Sequence, residues 1–484
     1  MRWYHSLLLL GAAFASSNAT ALPWAEVGSA QLRSDVELLA AHALLRDPVN
    51  AWPLALEKIC TTVQGGTGRL PSHVESARQR IAARCAMLSD DQRATAHVAV
   101  TSHPALIRTF DGAGREAMDA TLRLDRRFGA LHLAAALGYR AGQHSGDLHL
   151  EPTALALDLG DWALYGGYVE QWWGPARDSA LLISNNARPF PKLGVTRLTP
   201  EPIDFPVIRW LGPVRLDAFA GVLTEKRSDY DNPALIGLRL GFAPAPGLEI
   251  GLARTLQLCG RGRPCSLKML ADALFPFGNR DNSGTLDEPG NQLAGFDISY
   301  ARRLGPVAVR IYGEAQGEDE YDGLPGQFGT TVGANLAGPL GRSGAGWELR
   351  AEYTDTLANK LLGPKPRPGS FYNHFIYTAG YTYRGQALGS SIDGDGRMLT
   401  LAGSLTDAND RRFYGSWRHV ELNRTARNPR LSPPAEFTLA TAGVELPSPT
   451  GDLRLEFRLS NPDHADPDRL PRSFEAELGW RRSF

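Results

Sequence analysis

The densest run of chemistry-bearing side chains is Tyr168-Val-Glu-Gln-Trp-Trp-Gly-Pro-Ala-Arg-Asp178, followed by Leu182-Ile-Ser-Asn-Asn-Ala-Arg-Pro189. It gathers Glu170, Gln171, Trp172, Trp173, Arg177, Asn185, Asn186 and Arg188. Aromatic faces stack on sugar rings, and amide and guanidinium groups bond hydroxyls and carboxylates, so these types suit glycan contact. They equally suit an interior network in which Glu170, Arg177 and Arg188 satisfy one another, with Trp172 and Trp173 wedging a corner closed by Gly174-Pro175. A second set lies in loop-like stretches: Arg261 and Arg263 between Cys259 and Cys265, then Lys360, Lys365 and Arg367, then Tyr372, Asn373 and His374. The cations suit an acidic polysaccharide, and Tyr and His suit ring stacking. Solvated loop charge is the plainer expectation for each one singly.

Enzyme constellations are missing from the sequence. It has no His-Glu-x-x-His, no phosphate-binding glycine loop and no nucleophile elbow. Asp393-Gly-Asp-Gly396 resembles part of a calcium loop but lacks the rest of the twelve-residue pattern, and reads as a tight turn. The expectation is therefore no enzyme, no metal and no cofactor. A net charge of −1 gives no reason to expect nucleic acid. Only six of the 51 basic residues are lysine. That arginine bias suits bidentate pairing with carboxylates, although a GC-rich genome accounts for it more simply.

The elements that must carry these residues divide the chain into three. Residues 1–21 read as a secretory signal peptide: Arg2, an apolar run from Leu7 to Ala15, and the small-residue site Ala19-Thr20-Ala21. No later stretch is apolar for the roughly 18 residues a spanning helix needs. Residues 22–91 read as a small helical bundle. Ser34 and Glu37 form one expected capping box, with Val36, Leu39, Ala40, Ala43 and Leu44 following at helical spacing. Ser72 and Glu75 form another, followed by the stripe Val74, Ala77, Ile81, Cys85 and Leu88. An even number of cysteines in an exported chain suggests disulfides. Proximity favours Cys60–Cys85 and Cys259–Cys265 among the possible pairings.

From about residue 92 the period changes to two and stays there. Leu453, Leu455, Phe457 and Leu459 alternate with Arg454, Glu456 and Arg458; Trp347, Leu349, Ala351 and Tyr353 alternate with Glu348, Arg350 and Glu352. In a soluble sandwich the charged face meets water; in an outer-membrane barrel it lines the lumen and the apolar face meets lipid. Alternation alone does not separate the two. Strand length, aromatic residues near strand ends, and the alternating run from Phe474 to Phe484 favour the barrel. Residues 92–484 thus read as a mainly β, antiparallel transmembrane outer-membrane β-barrel of about eighteen strands, least defined between Leu357 and Arg397. The run ending at Phe484 resembles the signal read by barrel-assembly machinery, and outer-membrane lipid is the expected surround.

The 168–189 stretch resembles the signature of the Wzi-type capsule-assembly family of outer-membrane proteins. Leu32-Arg-Ser-Asp-Val-Glu-Leu-Leu39 with Pro48-Val-Asn-Ala-Trp-Pro-Leu54 is similar to the family's helical entry. Phe219-Ala-Gly-Val-Leu223 and Gly380-Tyr-Thr-Tyr-Arg-Gly385, continuing to Asp393-Gly-Asp-Gly-Arg-Met398, resemble two of its later strands. The resemblance covers nearly all of the chain after residue 21. It implies an eighteen-stranded barrel with a periplasmic helical bundle and a lectin-like role, holding capsular polysaccharide or exopolysaccharide at the cell surface. It supplies no catalytic residues, and Cys259–Cys265 matches none of its motifs. A porin or saccharide-export channel is the alternative that a polar lumen would serve.

Overall fold

The computed structural model describes residues 22–65, 70–88, 92–142, 146–274, 290–318, 320–321, 324–325, 327–360, 367–463 and 470–484. The expected signal peptide and Lys365 lie outside them, as does the side chain of Lys360. A closed antiparallel barrel of 18 strands runs from Gln92–Thr101 to Phe474–Ser483. Gly146–His149 and Ala154–Asp158 both pair with Leu131–Ala141 and form one interrupted strand. The seam closes where the last strand pairs with the first, from Glu477 opposite Thr101 to Ser483 opposite Thr95. Phe484 and Ala94 then exchange backbone hydrogen bonds.

Burial decides what alternation could not. Phe457 and Leu459 are 49% and 57% exposed, while Glu456 and Arg458, which alternate with them, are 5% and 3% exposed. Leu349 and Ile311 point outward in the same way, with Glu348, Glu352 and Arg310 turned in. A protein with its leucines outside and its charges inside is inverted with respect to water. It matches a barrel whose exterior meets hydrocarbon.

The two ends differ. Turns at the end carrying Phe484 are mostly short, such as 129–130, 246–247 and 305–306. Connections at the other end are long, including 168–191 and 361–396. No barrel strand occurs among the described residues of that last connection, since Gly346–Lys360 pairs directly with Arg397–Thr406. Gly380–Gly385 is therefore not a barrel strand; it holds half of a two-residue ladder, Thr382–Tyr383 with Gln386–Ala387, inside the loop.

Helices α1 (Ala30–Ala41), α2 (Glu57–Gly65) and α3 (Ser72–Leu88) sit at the short-turn end. Arg80 reaches Asp410 at 2.9 Å, Lys58 reaches Glu201 at 2.5 Å, and Ala41 packs with Ala301 and Ala308. The expected capping box at Ser34 and Glu37 is not one. Ser29 caps α1, accepting from the Leu32 amide, so Ser34 and Glu37 fall in mid-helix and spend their side chains on tertiary partners. Helix α3 does begin at Ser72, but the Glu75 carboxylate turns to Arg78 rather than back to the cap. Val74, Ala77, Ile81 and Cys85 form its buried stripe, and the Cys60–Cys85 disulfide ties α3 to α2. The second disulfide joins Cys259 and Cys265.

Candidate functional site: a filled lumen and its loop cap

The segment 168–191 leaves the wall after Trp162–Gly167 and folds into the lumen before rejoining it at Lys192–Arg197. Every residue from Gln171 to Ile183 is buried. Trp172 and Trp173 pair as a short ladder with Trp52 and Ala51. Phe110 lies edge-on between Trp52 and Trp172, with ring centroids 5.0 and 5.6 Å away, and the Arg33 guanidinium covers Phe110 at 4.4 Å. The Trp172 indole donates to the Ala176 carbonyl at 2.9 Å. The tryptophan pair is the hub of an internal core and has no face left for a sugar.

The charges around it are satisfied, but not by one another as anticipated. Arg177 pairs with Glu37 of α1 at 2.5 Å and with Glu348 of the wall at 2.9 Å. Glu170 pairs with Arg115, and Arg188 with Glu116. Glu37 also receives Arg33 at 3.0 Å and Arg310 at 3.3 Å. Burial alone would push the Glu37 carboxyl up, but Arg177, Arg310 and Arg33 together hold it well below the usual range. Asp178 accepts from Arg350 and Arg418 at 2.7 and 2.6 Å, and those cations outweigh burial to bring it to about 2. Glu352 accepts the backbone amides of Arg177 and Asp178 at 2.8 Å each, and the Tyr312 hydroxyl at 2.6 Å.

Gly174 sits at φ +151°, and a Cβ there would lie 2.7 Å from the Glu314 carboxylate. Only glycine fits the backbone and the space together. The Arg33 guanidinium donates to the Gly174 and Pro175 carbonyls at 3.2 and 2.8 Å. Asn185 donates to the Thr109 and Phe110 carbonyls, and Asn186 to the Ala387 carbonyl at 2.8 Å. The paired asparagines thus hold two further inward loops. Gln171 accepts from Lys192 at 2.9 Å.

Toward the long-loop end, loops 223–233, 259–265 and 367–396 knit into a cap. Arg227 donates to the Thr382 and Gly380 carbonyls, and Asp229 accepts from the Ala379 amide. Arg263 lies over Tyr230 and Tyr377 at 5.8 and 5.2 Å. Tyr372, expected as a stacking residue, is fully buried: its hydroxyl donates to the Leu181 carbonyl and accepts from the Ser390 amide. Tyr381 likewise donates to the Leu182 carbonyl at 3.1 Å. Asn373 bonds the Gly369 carbonyl and Arg430. Arg261 and Arg367 are exposed, and His374 is half-buried against Phe375, 4.8 Å away. Sequence reading missed Phe375, Arg384, Arg427 and Lys226, all exposed on the same cap. Arg384 lies over the Tyr383 ring at 5.5 Å. An aromatic followed by loop cations was the available signal.

Among the described residues, helix α1 and the 168–191 segment occupy the lumen, and the cap loops bond to that segment from the other side. Among the described residues no group of three or more His, Cys, Asp or Glu is disposed to hold a metal. Asp393 and Asp395 are engaged instead with Arg430 and Thr425 in a turn.

Comparison with known proteins agrees with this architecture. The chain is 27% identical over 467 residues to a 55.8 kDa protein of the cps region of Klebsiella pneumoniae, covering 93% of this chain and 88% of that one. The solved structure of Wzi, an outer-membrane protein of Escherichia coli involved in group 1 capsule assembly and described as a carbohydrate-binding β-barrel, superposes with a TM-score of 0.81 at 22% identity. The superposition covers 95% of this chain and 99% of Wzi. The family model described as capsule assembly protein Wzi matches residues 90–460. With that match spanning most of the barrel, the chain belongs to the Wzi capsule assembly protein family.

Proposed function

We propose that this protein is an outer-membrane, lectin-like anchor that holds exported capsular polysaccharide or exopolysaccharide at the cell surface through its loop cap. One observation carries the reading: segments entering from both ends of the barrel meet and bond to one another inside the lumen. Helix α1, the 168–191 segment and the 367–396 loop are joined by Glu37–Arg177 and by the Tyr372 and Tyr381 hydroxyls bonded to Leu181 and Leu182. A barrel packed this way offers its outer cap rather than a pore. Family membership supports the role in capsule assembly, and the carbohydrate binding described for Wzi supports the ligand class. The reading is one of binding, not catalysis.

Short turns and the helices on one end, long loops on the other, support a periplasmic bundle and an extracellular cap. The contact set comprises Arg261, Arg367, His374, Phe375 and Arg384, with cations for acidic sugars and rings for stacking. The outward residues Phe474, Leu478 and Trp480 of the last strand fit recognition by barrel-assembly machinery. Deleting the gene should shed polysaccharide into the medium while synthesis continues, and full surface retention in the deletion strain would overturn the assignment. The channel reading predicts steady ion conductance in planar bilayers; the filled lumen predicts silence.

A further inference from the structure

The 198–213 connection departs from the rule that turns at the Phe484 end are short. Its beginning touches the bundle, where Lys58 meets Glu201, and the remainder lies on the outer wall. Strand residues Arg215, Arg239 and Gly241 point inward and are buried, so Val214 and Phe242, which pair with each other, point outward. An outward residue of this barrel is normally exposed, yet Val214 and Phe242 are 0% and 7% exposed. The loop covers them, with Trp210 standing edge-on to Phe242 at 6.2 Å.

Having covered one apolar surface, the loop presents another. Phe205, Val207 and Trp210 are 55%, 69% and 64% exposed. They stand at the same end as the outward rings Phe128, Trp162 and Phe413, which border short turns elsewhere around the barrel. Outer-membrane barrels carry aromatic girdles at both interfaces, and the loop fills the sector where Phe242 has been covered. Its backbone is suited to that place. Ile208 and Arg209 donate to the Phe205 carbonyl, Leu211 to Ile208, and Gly212 to Arg209, so these amides need no water. Asp204 and Arg209 are exposed and pair at 3.2 Å, as charges at headgroup level can.

We propose that the 198–213 loop is an interfacial wedge that inserts Phe205, Val207 and Trp210 into the phospholipid leaflet at the helix-bearing end of the barrel. The proposal rests on the outer-membrane reading. Phospholipid is favoured over a protein partner because the apolar patch continues the lipid-facing wall and its ring belt.

The test uses the full chain reconstituted in phosphatidylethanolamine/phosphatidylglycerol vesicles with acyl chains brominated near the glycerol end. Tryptophan quenching is compared between the wild type, Trp210→Phe and Trp417→Phe, the last removing an outward ring of the wall. The proposal expects the bromolipid-quenched amplitude to fall by one tryptophan's share in each variant, with Trp210 shielded from aqueous acrylamide. If only Trp417→Phe lowers the amplitude and Trp210 is quenched by acrylamide, the loop stands in water and the proposal fails while the barrel reading stands. If neither variant lowers it, the chain is not seated in the bilayer and both fail. A photoreactive side chain at Val207 that captured a protein in intact cells would replace lipid with a partner and overturn the wedge.

Discussion

The Arg177 guanidinium donates to the Glu37 carboxylate at 2.5 Å across 140 residues of sequence, joining the first helix to the segment that fills the barrel. Arg33, Arg177 and Arg310 all converge on Glu37, so one carboxylate pairs with cations from helix, plug and wall.

Glu37→Gln should therefore leave buried guanidinium groups short of charge. Breaking a buried pair costs about 3–5 kcal/mol. The expected outcome is faster amide exchange in Ala30–Ala41 and around Gly174, with wall strands unchanged, and intermittent conductance steps in bilayers that are silent with the wild type. Arg78→Ala, which breaks the half-exposed pair with Glu75, should change the same readouts little, since pairs in contact with solvent contribute about 0–1 kcal/mol. Equal effects of the two variants would show that Glu37 holds nothing together.

Acid should loosen the plug in two stages. His42 is pushed down to about 4 by burial, by His73 and by Arg303. Its folded pKa lies below its unfolded one, so its contribution is complete above about pH 6.5 and declines as pH falls toward 4. Asp178 is lowered to about 2 and Glu37 is lowered as well. Their contribution is present above the ordinary carboxylate range and is lost as pH falls through the folded values. Protection factors of residues 30–41 and 171–183, with the intrinsic pH dependence of amide exchange divided out, should fall gently below pH 6.5 and steeply below 4. A flat profile would contradict the assignment.

The Cys60–Cys85 bond closes a loop with a sequence separation of 25, and a cross-link of that span stabilises by about 3 kcal/mol in the chain-entropy account. Cys60→Ser with Cys85→Ser should expose 57–88 to limited proteolysis. The barrel should keep its heat-modifiable migration on gels, because the closed wall of strands does not depend on this cross-link.

Recognition by exposed cap cations should be salt-sensitive. Arg261→Ala combined with Arg384→Ala should weaken binding of an acidic polysaccharide several-fold at low ionic strength, with less difference at 0.5 M salt and no change in thermal stability. Phe375→Ala should weaken neutral and acidic glycans alike. Affinity electrophoresis in polysaccharide-containing gels reads both, and unaltered mobility would move the site off this part of the cap.

Local pattern alone determined a great deal here. Strict alternation from residue 92 onward requires strands with two unlike faces, because successive side chains of a strand point to opposite sides. Short separations were enough to pair Cys60 with Cys85 and Cys259 with Cys265. Alternation could not tell which face met water, since a sandwich and a barrel share it; the exposure of Phe457 beside buried Glu456 settled that. Nor could it find partners. Ser34 and Glu37 fit a capping box by spacing, yet Glu37 serves Arg177 instead, a choice made by how the loops enter the lumen. The buried Tyr372, with His374 and Phe375 beside it nearer the surface, shows the same limit. Spacing fixes what a residue can reach along its own element, whereas long-range folding of loops into the barrel decides what it touches.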